Sequence, residues 1–466
     1  MLTYDLTKRD GQPLYLYLYS CIKSDIEQGV LRANEKLPSK RALAEHLGLS
    51  AITVQNAYAQ LLSEGHIYAL ERSGYYVSEL EGPAPAPARE REPIRPAEPG
   101  AERKFLADFC ASSVRAEDFP FSEWSARMRE VLSEHDSELL RRIPNAGVPK
   151  LRAAIADFLS RWRGMAVSPE QIIIGAGTEY LYGLIIKLLG KDKVYAVEDP
   201  GYATIAKIYG AEGVERRYIA LDGSGLSVDA LTASGADVVH ISPSHHFPTG
   251  IVMPIRRRQE ILSWACAAPG RYVIEDDYDS EFRLVGKAIP TLQSIDARGK
   301  VLYVNTFSKS ISPAIRVSYM VLPHSLLERY RERLGFYSCT VSAIEQYTLA
   351  KFIEGGHFER HINRLRRSYR IVRDGIIDAV KRSPLRGRAE ILEESSGLHF
   401  IMKLKTDLSD AELVAEARRR GVNISCLSQY CRDSRNARSS VLILNYSGVD
   451  AADAEKAMDI LYDIIR

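Results

Sequence analysis

After Pro13, the residues Leu14, Leu18, Ile22 and Ile26 recur every four positions, the spacing of one buried helix face. Proline suits the first turn of a helix, where its missing N–H leaves no bond unmade, and Gly29 is placed to end that helix. A second helix is predicted from the N-capping Ser39 to Leu47. The chain then turns at Leu47-Gly48-Leu49, and Ser50 caps a third helix with Val54, Ala57, Tyr58 and Leu61 on its inner face. Two short helices across a glycine-containing turn form the helix-turn-helix pattern. The run His66–Val77 reads as a hairpin turning at Arg72-Ser73-Gly74.

Residues 79–103 carry six prolines and mixed charges with almost no apolar anchor, so they form a spacer rather than a core. Beyond it, short β-rich runs at 171–177, 193–199, 216–221, 237–243, 271–277, 301–307 and 318–323 are mostly separated by helix-length segments. That alternation predicts an α/β domain with a mostly parallel sheet covered on both faces. The runs 399–405, 422–427 and 440–446, again mixed with helical segments, predict a smaller α+β lobe. The expected organisation is therefore a helix-turn-helix module over 1–78, a linker over 79–104 and a larger domain over 105–466, its large lobe about 120–325 and its small lobe about 326–466.

A length of 466 residues agrees with several domains, and 45% hydrophobic with 26% charged residues is ordinary for globular chains. A net charge of +2 neither requires nor excludes a nucleic-acid partner. Six cysteines without paired spacing point to reduced thiols, and the N-terminus lacks an apolar leader, so a soluble, cytoplasmic protein is expected with no membrane contact.

Candidate chemistry concentrates in Asn305–Met320. Lys309 lies among Thr306, Ser308, Ser310 and Ser312, and Arg316 follows seven residues later. A lysine after a strand is ordinarily a solvated surface residue. A Schiff-base lysine instead needs a crowded, partly desolvated site, and a phosphate beside it needs the fixed fork of an arginine. Three further strand ends contribute. Gly175-Ala176-Gly177-Thr178 opens a helix whose N–H groups suit a phosphate, although tight turns need glycine anyway. Glu275-Asp276-Asp277-Tyr278 offers a carboxylate for a protonated pyridine nitrogen, or is an exposed acidic strand end. Asp199-Pro200-Gly201-Tyr202 offers a ring to stack on a planar cofactor, or is a turn with a packed tyrosine. All fall at the C-terminal edge of the predicted sheet, where open parallel sheets bind ligands. His245 and His246 have no partner ligands at metal-binding spacing, so no metal is expected.

In order and spacing these motifs resemble the fold-type-I, class I aminotransferases from Phe105 onward. With the N-terminal module the chain resembles MocR/GabR-type regulators, which join a GntR-like winged helix to that fold. The resemblance implies pyridoxal 5′-phosphate (PLP) as cofactor. Lys309 would form the internal aldimine, and Arg316, Thr306, Ser308, Gly177 and Thr178 would hold the phosphate. Asp276 would pair with the pyridine nitrogen, with Asp277 adjacent as the alternative register; Tyr278 would reach the ring oxygen and Tyr202 would stack on the ring. Enzymes of the aminotransferase family usually have Asn just before the Pro-Thr-Gly turn; this chain has Phe247, so that polar contact is absent or replaced.

Residues 1–78 hold eight Lys/Arg and eight Asp/Glu, so charge alone is equally consistent with a small helical interaction domain. Lys36, Lys40 and Arg41 nevertheless cluster at the second helix, and Thr53, Gln55, Asn56 and Gln60 are the outward positions of the third, which enters the major groove in this motif. The GntR resemblance implies double-stranded operator DNA as partner, with Ser39 and Arg41 matching residues that contact it, alongside Lys40 of the basic cluster, and Gly74 at the wing tip. Ala51 stands where relatives often have arginine. The Arg-rich run Glu359–Gly375 reads as a solvated helix. Two functions follow: a homodimeric regulator that senses PLP or a small amine or amino-acid effector, or a working aminotransferase with an accessory DNA-binding module. Class I enzymes clamp the substrate carboxylate with an arginine on a late strand. The matching run Ser440–Tyr446 has none, while Arg432, Arg435 and Arg438 lie in the loop before it, so weak transamination is expected.

Overall fold

A computed structural model describes residues 2–9, 11–79, 105–111, 114–134, 136–284, 289–395, 397–432 and 440–466. The predicted linker, apart from Glu79, lies outside the described residues. The chain divides into two compact units, Met1–Glu102 and Arg103–Arg466. Among the described residues, no helix is long and apolar enough to cross a membrane.

In the first unit the helices are Leu14–Glu27, Lys40–Leu47 and Ala51–Ser63, followed by the antiparallel strands Ile67–Leu70 and Gly74–Val77. Both predicted caps are made: Ser39 Oγ accepts the Ala42 N–H at 3.2 Å and Ser50 Oγ accepts the Thr53 N–H at 3.1 Å. Each satisfies a helix-terminal donor that would otherwise lack a partner. Leu18, Ile22, Leu43, Val54, Ala57 and Leu61 are completely buried and form the core. The hairpin turns one residue earlier than predicted. Arg72 takes the left-handed conformation at φ 59°, so Gly74 already pairs with Leu70 as the first residue of its strand.

The second unit is built on an eight-stranded sheet in the order Ile172–Gly175, Ser318–Val321, Val301–Thr306, Tyr272–Asp276, Val238–Ile241, Val194–Asp199, Glu215–Asp222 and Gly225–Leu226. Ser318–Val321 and Gly225–Leu226 run against the other strands, making the sheet mixed but mostly parallel. Every residue of Val301–Thr306 is buried, as a strand covered on both faces requires. The parallel strands finish together at Gly175, Asp199, Ile241, Asp276 and Thr306, which creates the edge on which the site is built. A second sheet pairs Ala389–Leu392, His399–Leu404, Val441–Asn445 and Ser425–Cys426. Ala107–Asp108 pairs with Val422–Asn423, so the smaller lobe also takes in chain from the start of this unit and not only the predicted 326–466.

Candidate functional site

At that strand edge lies a cavity of about 390 Å³. Lys309, Arg316, Asp276, Tyr278, Tyr202, Thr178, Thr306 and Ser308 all line it. Burial lowers the Lys309 pKa from the usual lysine range, against the opposing pull of Asp279 and Asp276. An amine made easier to deprotonate in this way is a better nucleophile.

Consecutive strand residues face opposite sides, and this separates the two candidate aspartates. Asp277 turns away from the cavity, with Oδ2 held by Arg163 Nη2 at 2.8 Å, Tyr303 Oη at 2.7 Å and Ser280 Oγ at 2.8 Å. Asp276 lines the cavity. Its Oδ2 accepts from Tyr182 Oη at 2.5 Å, while its buried Oδ1 has no hydrogen-bond partner among the described residues. A buried carboxylate oxygen left without a donor is costly, so it marks a place for a donor from a bound molecule.

Gly177 precedes the helix Thr178–Leu189 at φ 92°. It is the predicted site residue that stands outside the cavity lining, yet a Cβ built there would lie 2.2 Å from Arg316 Nη2. Glycine thus lets the guanidinium close on the helix N-terminus, and Arg316 Nη2 lies 3.2 Å from Glu179 Oε2. Thr306 and Ser308 are linked to each other at 2.9 Å. Tyr202 is 48% exposed at the rim and meets Phe247 edge-on, ring centroids 5.9 Å apart.

Other groups at the site escape sequence reasoning. Chain spacing gives His245 no partners, but folding brings it to Asp279 and His399, with ligand atoms of the three within 4.8 Å of one another. Ile443 and Asn445 of the late strand line the cavity where an arginine clamp was sought. Arg432 instead borders an adjoining cavity of about 170 Å³, its guanidinium 4.8 Å from the Tyr218 ring centre and its N–H bonded to Asp199 Oδ1 at 3.0 Å. Arg435 and Arg438 lie outside the described residues.

In the first unit Gln55, Asn56 and Gln60 are exposed on the third helix, as are Ser39 and Arg41 at the second. The Thr53 hydroxyl is 2.8 Å from Ser50 Oγ and is shared with the helix cap. Lys36 and Lys40 sit over the rings of Tyr76 and Tyr75, which ties the basic cluster to the hairpin. Ile52, not among the predicted contacts, is 70% exposed at the start of the third helix; an apolar side chain there suits a thymine methyl group. The Arg-rich run lies in the helix His357–Arg382, where Arg360, Arg366, Arg370 and Arg373 all bond backbone carbonyls.

Residues 14–77 match the bacterial regulatory proteins of the gntR family, and residues 108–461 match the aminotransferase class I and II family. The uncharacterized HTH-type transcriptional regulator YdeL of Bacillus subtilis is 36% identical over 96% of this chain and 95% of its own length. The HTH-type pyridoxine biosynthesis transcriptional regulator PdxR of Corynebacterium glutamicum is 30% identical over 88% of this chain and 87% of its own. The probable rhizopine catabolism regulatory protein MocR of Rhizobium meliloti is 29% identical over 94% of this chain and 91% of its own. Among solved structures, Pyrococcus horikoshii kynurenine aminotransferase superposes with a TM-score of 0.69 at 21% identity, over 78% of this chain and 91% of that one, a likeness of fold.

Proposed function

Because the chain belongs to the MocR-type HTH regulators, with a GntR segment and an aminotransferase class I and II segment, we infer that it binds operator DNA and regulates transcription in response to PLP or an amine. The observation that supports the cofactor most directly is the unpartnered, buried Asp276 Oδ1 on the same cavity as Lys309. It is an acceptor waiting for a donor such as a protonated pyridine nitrogen. The residues fit PLP at the other end as well, where Gly177 leaves room for the Arg316 fork beside a helix N-terminus. When bound, PLP supplies an electron sink for reactions at an amine carbon. The chain's own part is to present the Lys309 amine, keep a carboxylate on the pyridine nitrogen, cradle the phosphate with Arg316, Thr178, Thr306 and Ser308, and cover the ring with Tyr202.

DNA contact is assigned to Ser39, Lys40, Arg41, Thr53, Gln55, Asn56 and Ile52, with Gly74 beside the wing turn. A homodimer would present two such modules to a two-part operator. Footprinting the purified protein on its own upstream DNA, with and without PLP and a panel of amines, is the direct test. A protected site whose extent or affinity changes with PLP or an amine is the expected result. An unchanged pattern under every ligand would remove the sensing role.

The aminotransferase fold favours one second reading, a working transaminase. The late strand weighs against it, since Ile443 and Asn445 face the cavity and neither can clamp a carboxylate as an arginine does. Turnover of common amino donors with keto acids is therefore expected below about 1 s⁻¹, the low end of ordinary enzymes. Steady-state rates above that value would promote the enzyme reading.

A further inference from the structure

Behind the cavity lies a buried pair that the proposed function leaves unused. The side chains of Asp279 and His245 are each 1% exposed, and Asp279 Oδ2 is 2.8 Å from His245 Nδ1. The same oxygen accepts the Leu398 N–H at 3.2 Å. An oxygen that accepts a backbone donor and faces an imidazole nitrogen is a carboxylate acceptor in both contacts, so His245 Nδ1 carries the hydrogen. The arrangement is built into the backbone. Gly397 stands at φ 74°, and a Cβ there would fall 1.9 Å from His245 Nδ1, so the imidazole occupies space that only glycine leaves open.

Tyr278 Oη lies 3.3 Å from that same Nδ1. A nitrogen that already holds a hydrogen has no lone pair to offer in the ring plane, so Tyr278 has nothing to donate to on that side. Its oxygen takes a minor share of the N–H, and its own hydrogen turns away. Tyr278 also lines the cavity. Burial, reinforced by Asp279, Asp276, Glu198 and Asp277, keeps its phenol protonated well above the ordinary tyrosine range.

We propose that Asp279 and His245 are positioning residues that fix Tyr278 as a hydrogen-bond donor into the cavity, toward the ring oxygen of the cofactor. The inference rests on the reading of the cavity as a PLP site. It also accounts for Phe247, which has no polar side-chain atom to offer where the aminotransferase enzymes usually have Asn: a donor whose direction is enforced from behind takes over the contact. The other titratable or charged groups around the pair are His399, whose ring centre is 4.2 Å from that of His245, with His246, Glu393, Lys309 and Tyr446, and Arg163, Arg258 and Arg283 on the small cavity that His245 and Asp279 also line. His399 and His246 are both held neutral by burial, and the His246 nitrogens face Thr249 Oγ1 at 2.8 Å and Glu198 Oε2 at 3.4 Å, so neither ring supplies the hydrogen that Asp279 holds.

The test is the pH titration of the visible absorbance of lysine-linked PLP in the full-length protein. A donor on the ring oxygen stabilises negative charge there and so lowers the proton affinity of the linked nitrogen. Tyr278→Phe should raise the titration midpoint by about one pH unit, a tenfold change in proton affinity. His245→Phe, which keeps a ring beside His399, should raise it in the same direction. Combining it with Tyr278→Phe should add nothing further, because both act through the one hydroxyl. Asp279→Asn also removes a charge that raises the Lys309 pKa directly, so its midpoint should rise less than that of His245→Phe. A wild-type midpoint in His245→Phe, alongside a shifted Tyr278→Phe, would overturn the proposal and leave the PLP site standing. Additive shifts would overturn it equally. Absence of any lysine-linked absorbance in the wild-type protein would instead refute the reading of the cavity, and this inference with it.

Discussion

Replacing Gly177 with alanine separates two effects that a single residue controls. The first is backbone strain. At φ 92° an L side chain is disfavoured, and such positions cost on the order of 1–3 kcal/mol of folding stability. The second is the collision between the new methyl group and Arg316, whose Nη2 and Cζ would lie 2.2 and 2.8 Å away. Arg316 is half exposed, so its guanidinium yields by swinging outward. That movement withdraws one charged fork from the phosphate site. A hydrogen bond to a charged group contributes roughly 1.5–3 kcal/mol, so PLP affinity should fall about ten- to 150-fold. Thermal unfolding without PLP reads the strain, and titration of absorbance with PLP reads the affinity. Arg316→Gln should reproduce the affinity loss with little of the stability loss. Wild-type PLP affinity in Gly177→Ala would refute the claim that this glycine exists to let Arg316 close on the helix.

Lys309→Ala should abolish covalent attachment of PLP, and borohydride reduction followed by peptide mapping of the parent protein should place the label on Lys309; label elsewhere would move the site. DNA binding should weaken steeply with salt, because phosphate contacts release counterions. Arg41→Ala should weaken binding to all sequences alike, whereas Gln55→Ala should relax preference at one base position by roughly 1–3 kcal/mol, both measured by competition between operator and random DNA. Burial pushes the Glu198 carboxyl up to about 8. A carboxyl raised on folding contributes stability that is complete below its unfolded pKa of about 4.5 and is lost as pH rises through about 8. Glu275 and Glu281, raised to about 7, act in the same direction. Glu198→Gln should therefore flatten, without abolishing, the decline in unfolding free energy between those limits, as followed by denaturant titration.

Much of this architecture was legible because the periodicities were clean. The four-residue spacing from Leu14 to Ile26, the capping serines and the β-rich runs each report a local physical demand, and local demands are written in consecutive residues. Strand direction is not local. Ser318–Val321 reads as a strand from its composition, but only its partners show that it runs antiparallel between Ile172–Gly175 and Val301–Thr306. The same limit hid the first strand of the smaller lobe, two residues long at Ala107–Asp108 and defined by a partner more than 300 positions away. Lys309, Arg316, Asp276, Tyr278, Tyr202, Thr178, Thr306 and Ser308, which line the cavity, were recoverable because each sits in a motif beside a strand end. His245, Asp279 and His399 were not, since they come from three separate segments and have no motif in common. The tie between Thr53 and Ser50 was likewise invisible, because an outward position on a helix does not reveal whether a hydroxyl is already engaged.

The acidic run Glu275-Asp276-Asp277 carries three like charges in a row, but they serve three different addresses. Glu275 holds the backbone N–H groups of Leu292 and Gln293, Asp276 opens on the cavity and Asp277 is locked to Arg163, Tyr303 and Ser280. Exchanging one acid for another is a mild change in charge. Shifting the run by a single residue is not, because it would aim a locked carboxylate at the cavity and leave Arg163 opposite the wrong neighbour. The run is therefore confined in phase: an insertion or deletion inside it exchanges the faces that its carboxylates serve, whereas one in the loops on either side does not.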